Sequence, residues 1–478
     1  MCALGRCRNA CRSSRDCPAG THCLVEPATG LSACSLDQVD GCDASGCPDG
    51  FACRQHQCVN LCGAIVRCPD GVCQDSICLP PPDDAGVPTS DAGSCHGPHC
   101  DPVIDLALDG DRALVVTTSG EVWGWGDATG GALGDRLEMH MACATCSSTP
   151  VRALGPDGTP WVDAVAIAIG GPSCVVRRDG TVWCWGSNYD HQLGNGMTVD
   201  TDVPVQVLAV DDAGVQAPLD QVIAIDNDGD QSCVIRGPAR DVWCWGGNEE
   251  GALGDGTTMP RATAVRASEL GTGITEIDVM ARRTVSLDSS GTLRGVGINT
   301  CQMLGVTATD PMVSGTTLPM AGVAEVTSSI FDTCAIGMDG SLRCWGFGAQ
   351  VTGHAMGLPA CAGCGSGDDP CTPVPQPILQ PRNHPLVHLF GHGYGAILGV
   401  DADGGLWAWG GMFDEPFSPS ADPVQIYPSG VADAYLNHAA CMRTSAGDVL
   451  CFGANDVGQL GRGTTSASEA DIALVVWP

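Results

Sequence analysis

The residues of this chain best suited to chemistry are histidines and cysteines. His384, His388 and His392 recur at a spacing of four, with Tyr394 beside them. On a strand, residues four apart share a face, so the three could hold a transition metal or move a proton. Either role needs a carboxylate to fix the imidazole tautomer. No carboxylate–histidine phrase accompanies them, so they are read as histidines on a strand surface. Cys95-His96-Gly97-Pro98-His99-Cys100 places four potential metal ligands within six residues. In an oxidising setting the same phrase closes a small disulfide loop that carries His96 and His99, and this is the reading adopted. Cys143-x-x-Cys146, Cys361-x-x-Cys364 with Cys371, and Cys301 could bind zinc or exchange electrons. Neither close pair is followed by histidine, which excludes c-type haem attachment, and loop disulfides are expected. Asp109-Gly110-Asp111 and Asp228-Gly229-Asp230 resemble fragments of a calcium loop but lack its full spacing, and are read as tight turns. Gly-x-Ser-x-Gly, His-Glu-x-x-His and the phosphate-binding P-loop are all absent. No catalytic residue, cofactor or resident metal is expected, with His96, His99, His384, His388 and His392 as the candidate metal ligands.

Composition narrows the setting. The 478 residues carry a formal charge of −33 and no lysine, so Schiff-base chemistry is excluded. A field this acidic repels nucleic acid and anionic membranes. Thirty cysteines are too many for a reducing cytosol unless they hold metal. No apolar run is long enough for a membrane-spanning helix. The chain is therefore expected outside the cell, its export signal removed. Cys2 stands where a bacterial lipoprotein carries its lipid, which is the only membrane attachment expected.

Three regions follow from these patterns. Residues 1–78 are a cysteine-rich segment with an internal repeat, Cys17-Pro18, Cys47-Pro48 and Cys68-Pro69 each opening the same phrase. It has little apolar material, so cross-links must stabilise it. It lacks Cys-x-x-Cys pairs, which favours disulfides over zinc or iron–sulfur clusters. Residues 79–101 are a Pro/Asp/Gly-rich linker. Residues 102–478 hold seven copies of a unit ending in Trp125-Gly126, Trp185-Gly186, Trp245-Gly246, Val296-Gly297, Trp345-Gly346, Trp409-Gly410 and Phe452-Gly453. Each copy has an alternating run, a hairpin across a turn such as Asp179-Gly180, and a strand often opened by Pro-Val. Four short strands per unit and seven units describe an all-β, seven-bladed propeller behind a small disulfide-rich, loop-rich domain. The last strand, Ile472–Trp477, is expected to complete the first blade beside Val103–Leu108 and so close the ring.

The repeated residues have structural reasons. Trp125, Trp185, Trp245, Trp345, Trp409 and Phe452 are plates that fill the wedge between blades. The following glycine permits a positive φ or a close approach. Asn188, Asn248, Asn299 and Asn455 are expected in left-handed turn positions. Cysteines pair across the hairpins as Cys174/Cys184, Cys233/Cys244, Cys334/Cys344 and Cys441/Cys451. The other three units have Leu114/Gly124, Val285/Gly295 and Leu398/Ala408 at those places. Four units have both cysteines and three have neither. Opposite residues of a hairpin lie within disulfide reach, so four intra-blade disulfides are expected.

The phrase Asp-Gly-x-Val-Trp-Cys-Trp-Gly-x-Asn, then x-Leu-Gly and a Pro-Val strand, resembles the regulator of chromosome condensation repeat over residues 102–478. That resemblance implies a seven-bladed propeller and a binding role. The family includes a nuclear exchange factor for a small GTPase, a plant UV-B receptor and secreted bacterial inhibitors of β-lactamase. Its frequent histidine before the first hairpin cysteine is replaced here by Pro172, Gln231, Asp332 and Ala439. There is no basic tail and no cluster of arginine and tryptophan, so neither exchange activity nor light sensing is carried over. The cysteine-rich leader resembles exported surface proteins of Gram-negative bacteria. We therefore expect a monomeric, non-catalytic recognition protein at the cell surface, binding a protein or glycan through propeller-face loops. A secreted enzyme inhibitor is the alternative, and a metal-dependent enzyme at the histidines is the second.

Overall fold

The computed structural model describes eight short strands between residues 2 and 79. From residue 101 to 478 it describes all but 138–144, 212, 281, 308–311, 348–370, 382, 392–395 and 411–419. The chain divides into two compact units, Met1–Ser94 and Cys95–Pro478. In the first, four hairpins are present, and their registers set Cys2 opposite Cys7, Cys23 opposite Cys34, Cys53 opposite Cys58 and Cys73 opposite Cys78.

The second unit is a seven-bladed β-propeller, with blades at residues 103–152, 164–206, 222–266, 274–321, 323–377, 386–427 and 431–474. Blade 2 shows the plan: Ala164–Ile169, Pro172–Arg177, Val182–Gly186 and Thr201–Gln206 pair antiparallel in chain order. The first strands of successive blades touch one another around the axis, and that of blade 7 meets that of blade 1. Blade 3 carries an added hairpin on its outer edge, Leu208–Val210 with Gln216–Pro218. Pro204 lies within its blade's outer strand rather than opening it. An edge strand tolerates proline because its outward N–H needs no ladder partner.

The core lies between blades. Trp125, Trp185, Trp245, Trp345 and Trp409 are each at most 1% exposed, and Phe452 is also buried. Trp185 packs among Ala107, Leu114 and Val116 of blade 1, and Trp245 packs against Val176 and Leu193 of blade 2. The indole N–H groups also fasten the preceding blade's loop: Trp185 donates to the Ala132 carbonyl at 3.0 Å and Trp245 to that of Gln192 at 2.7 Å. Gly186 takes φ +104° and Gly194 φ +61°, and a Cβ on Gly194 would sit 2.8 Å from the Trp245 ring. Glycine is therefore required in both phrases, Trp-Gly and Leu-Gly.

All four hairpin disulfides are present, Cys174–Cys184, Cys233–Cys244, Cys334–Cys344 and Cys441–Cys451. In blade 1 Leu114 faces Gly124, and a Cβ on Gly124 would lie 2.3 Å from the Leu114 side chain. There, a large residue opposite none fills the space that two sulfurs fill elsewhere. Cys146, Cys301 and Cys371 are disulfide-bonded as well. Cys143, Cys361 and Cys364 fall outside the described residues.

Two expectations are corrected. The last strand, Ser466–Leu474, does not enter blade 1; it pairs with Val449–Asn455 as the outer strand of blade 7. Blade 1 already holds four strands of its own, ending with Cys146–Arg152. The ring closes through side chains instead. Trp477 meets Trp123 and Trp125 edge-on at 5.8 and 6.1 Å, and the Trp125 indole donates to the Gln459 carbonyl at 2.9 Å. Nor do the repeat asparagines occupy left-handed positions: none has a positive φ, and Asn299 sits at −126°. They are buried, and each side-chain oxygen accepts the amide of the loop leucine five residues on, Leu193, Leu253, Leu304 or Leu460. A buried amide that ties a loop to its own strand was mistaken for a backbone requirement.

Candidate binding face

At one end of the propeller, the loop between the third and fourth strands of a blade reaches the turn between the first two strands of the next. In blades 2, 3, 4 and 7 the buried asparagine comes two residues after the repeat glycine, at Asn188, Asn248, Asn299 and Asn455. Tyr189, Asp190 and Gln192 of blade 2 meet Asp230 of blade 3. The Tyr189 hydroxyl donates to the Asp230 carboxylate, and the Gln192 amide donates to the same oxygen at 3.1 Å. Glu250 of blade 3 accepts Arg282 of blade 4 at 2.8 Å. Across the closing junction, Asp111 of blade 1 receives Gln459 at 3.3 Å and lies 3.2 Å from His438 Nδ1.

These contacts set the electrostatics. The Asp230 carboxylate and partial burial push the Tyr189 phenol up to about 12. Burial, with Asp230 and Glu249 nearby, raises Asp190. Tyr189 remains 63% exposed, so a rigid aromatic ring stands among carboxylates and faces solvent. Arg282 is the cation of this group, held charged by Glu250.

Beneath that end, longer side chains tie blades together. Arg283 is fully buried and donates to the carbonyls of Ile330 and Asp332, each at 3.1 Å, and to that of Ser329. Burial lowers its guanidinium to about 10, so it stays charged at neutral pH. Gln231 likewise reaches the Arg283 carbonyl at 2.9 Å, and Arg112 reaches those of Gly170 and Gly171. Around the axis, Asp105, Asp226, Asp278 and Glu325 each accept a backbone N–H from the first strand of the following blade, at 2.9, 2.7, 2.9 and 2.6 Å. Part of the chain's acidity is thus structural: it satisfies strand edges that the axis leaves unpaired.

His384 and His388, the two described histidines of the group, do not form one site. His388 lies on Leu386–Phe390, 3.1 Å from Glu325 of blade 5. His384 precedes that strand and faces Asp401 and Asp403. The four-residue rule fails because His384 is not on the strand, and the register also shifts between Leu386 and His388. Carboxylates do stand beside both, far apart in sequence, which is why no local phrase revealed them. His392, His96 and His99 lie outside the described residues. Gly110 and Gly229 are tips of tight turns, with φ +52° and +53°. Arginine–tryptophan stacks occur singly, Arg152 over Trp123 in blade 1 and Arg236 over Trp243 in blade 3. Asp230 was read from the sequence only as part of a tight turn, and Tyr189, Asp190, Glu250 and Arg282 went unnoticed. For Tyr189, Asp190 and Glu250 the signal was positional: they lie one or two residues after the repeat asparagines Asn188 and Asn248.

Comparison with known proteins agrees with this architecture. The regulator of chromosome condensation (RCC1) repeat matches residues 179–217. The chain is 26% identical over 323 residues to the ultraviolet-B receptor UVR8 of Arabidopsis thaliana, covering 64% of this chain and 65% of the receptor. It is 33% identical over 159 residues to the human E3 ubiquitin-protein ligase HERC2, covering 33% of this chain and 3% of the ligase. The chain therefore spans just under two thirds of the receptor and a small part of the ligase. Among solved structures, yeast RCC1 (Prp20) bound to Kap60 aligns with a TM-score of 0.57 at 14% identity, covering 83% of this chain and 91% of that one. Human WBSCR16 aligns at 0.56 and 16%, covering 70% and 84%. The family match thus lies in blade 2 and the outer hairpin that follows it, and the structural likeness is one of fold.

Proposed function

We propose that this propeller with RCC1-type repeats is an exported or cell-surface binding protein without catalytic activity, and that its acidic end takes a protein partner rich in arginine or lysine. The observation that carries the reading is Tyr189, held by Asp230 and exposed beside Asp190, with Glu249 near Asp190. Rigid aromatic residues serve as anchors at protein interfaces, and complementary charge around them steers association. Loops set on a rigid scaffold suit recognition. Yeast RCC1 was solved with a protein bound to it. By analogy of fold, this favours a protein over a glycan here. The hairpin disulfides support an oxidising compartment. A monomer fits a ring that closes on its own residues.

The test is capture from the extracellular and surface fractions with the immobilised full chain. A partner is expected to be retained by wild type, lost with Tyr189→Ala or Asp190→Arg, and released by salt as exposed charges are screened. Capture of the same protein by all three forms would remove this face from the account. A captured hydrolase whose turnover falls on binding would select the inhibitor alternative.

A further inference from the structure

At the opposite end of the propeller, blade 6 differs from blades 2 and 3. In blade 2 the hairpin residue Arg177 binds Asp163 of the entering loop, through Nε at 2.9 Å and Nη2 at 2.6 Å, and lies 3.7 Å from Asp179 at the hairpin tip. In blade 3 Arg236 pairs with Asp220 of the entering loop at 2.5 Å. One guanidinium thus gathers the acids. In blade 6 the position of Arg177 holds Asp401, the tip holds Asp403 and the entering loop supplies His384. The strong cation has been replaced by a third ligand-type side chain.

The geometry around this exchange is specific. His384 Nδ1 lies 3.3 Å from Asp401 Oδ2 and 4.0 Å from Asp403 Oδ2, and one ligand atom from each residue lies within 4.8 Å of the others. Ligand atoms around a tetrahedral zinc ion, at bonds of about 2.0 Å, stand about 3.3 Å apart. Asp401 is 2% exposed. Its Oδ1 accepts the Asp403 and Gly405 amides at 3.0 and 2.7 Å, and its Oδ2 accepts the Trp407 indole at 2.9 Å. These bonds fix the carboxylate as outer partners fix metal ligands. His384 Nδ1 is shielded from water yet makes no hydrogen bond, although a carboxylate oxygen stands 3.3 Å away. A simple ion pair would use that nitrogen as a donor, whereas a coordinating imidazole turns a lone pair to the same space.

We propose that His384 Nδ1, Asp401 Oδ2 and Asp403 Oδ2 bind a divalent transition metal, with water completing the shell. One imidazole and two carboxylates suit zinc better than calcium, which takes six to eight oxygen ligands. The ion restores the charge that arginine supplies in blades 2 and 3, and it joins the blade 6 hairpin to the loop that enters the blade. This inference is independent of the acidic face.

The probe is Zn2+, titrated calorimetrically into the oxidised full-length protein. Differences between variants isolate this site from any other zinc bound by the chain. Wild type is expected to bind one more equivalent than His384→Ala. Asp403→Asn, whose side chain is 79% exposed and outside the hairpin's hydrogen bonds, keeps the fold and is expected to weaken that equivalent at least tenfold. Zinc is also expected to raise the melting temperature of wild type more than that of Asp403→Asn. Equal stoichiometry and affinity in wild type and Asp403→Asn would overturn the proposal and leave His384–Asp401 as a structural pair.

Discussion

Asn248 uses both ends of its amide inside the protein. Its oxygen accepts Leu253 N at 3.0 Å, and its nitrogen donates to the carbonyls of Thr257 and Met259 at 3.0 and 3.1 Å. A left-handed turn residue could be exchanged for glycine without loss, but a buried hydrogen-bonding amide cannot. Asn248→Gly is expected to lower stability by about 2 kcal/mol, read from urea unfolding; unchanged stability would revive the left-handed reading. Asp255 belongs to the same loop. Burial alone would raise its carboxyl, but Thr257 and Arg261 outweigh that and hold it below its ordinary value of 3.8. A depressed carboxyl stabilises the fold above its unfolded value, and the contribution drains away as pH falls through the folded one. Asp255→Asn is therefore expected to cost about 2 kcal/mol at pH 7. The gap to wild type should close as pH falls below about 3.8. A gap that persists undiminished in acid would show that the charge is not what Asp255 contributes.

At the scale of elements, the hairpins were the most legible part of the chain. A fixed period aligns the units, so the joint presence or absence of two cysteines identifies opposite residues without any structure. The disulfides lie where that reasoning put them. Each closes a loop of about a dozen residues, worth about 3 kcal/mol by loop-closure entropy. Replacing Cys441 and Cys451 together by alanine is expected to lose about that much in non-reducing unfolding experiments. A loss well under 1 kcal/mol would mean that the hairpin holds itself without the bridge. The pairing of the last strand was not legible, since a strand's partner depends on whether another strand already fills the place. The irregular loops were less legible still. Tyr189 and Asp230 are 41 residues apart and meet only because adjacent blades meet. His384 and Asp401 meet within blade 6, where spacing along one strand suggested the wrong companions.

On the scale of the whole molecule, two features combine. The ring closes through Trp477, Trp125, Gln459 and the His438–Asp111 contact rather than by sharing a strand between blades. The whole chain carries a charge of −33; the axial carboxylates are part of the frame, and those around Tyr189 surround an aromatic ring that faces solvent. The account is that of a rigid, disulfide-bonded ring whose acidic end recognises a basic protein. Its most direct test is photo-cross-linking from two places in the same blade. A benzophenone amino acid replaces Met197, 63% exposed in the loop that carries Tyr189, or Asp179 at the hairpin tip on the opposite end, with the full chain in its native extracellular fraction. The account predicts one cross-linked protein from position 197, competed away by salt, and none of it from position 179. The same cross-link from 179, with none from 197, would contradict it.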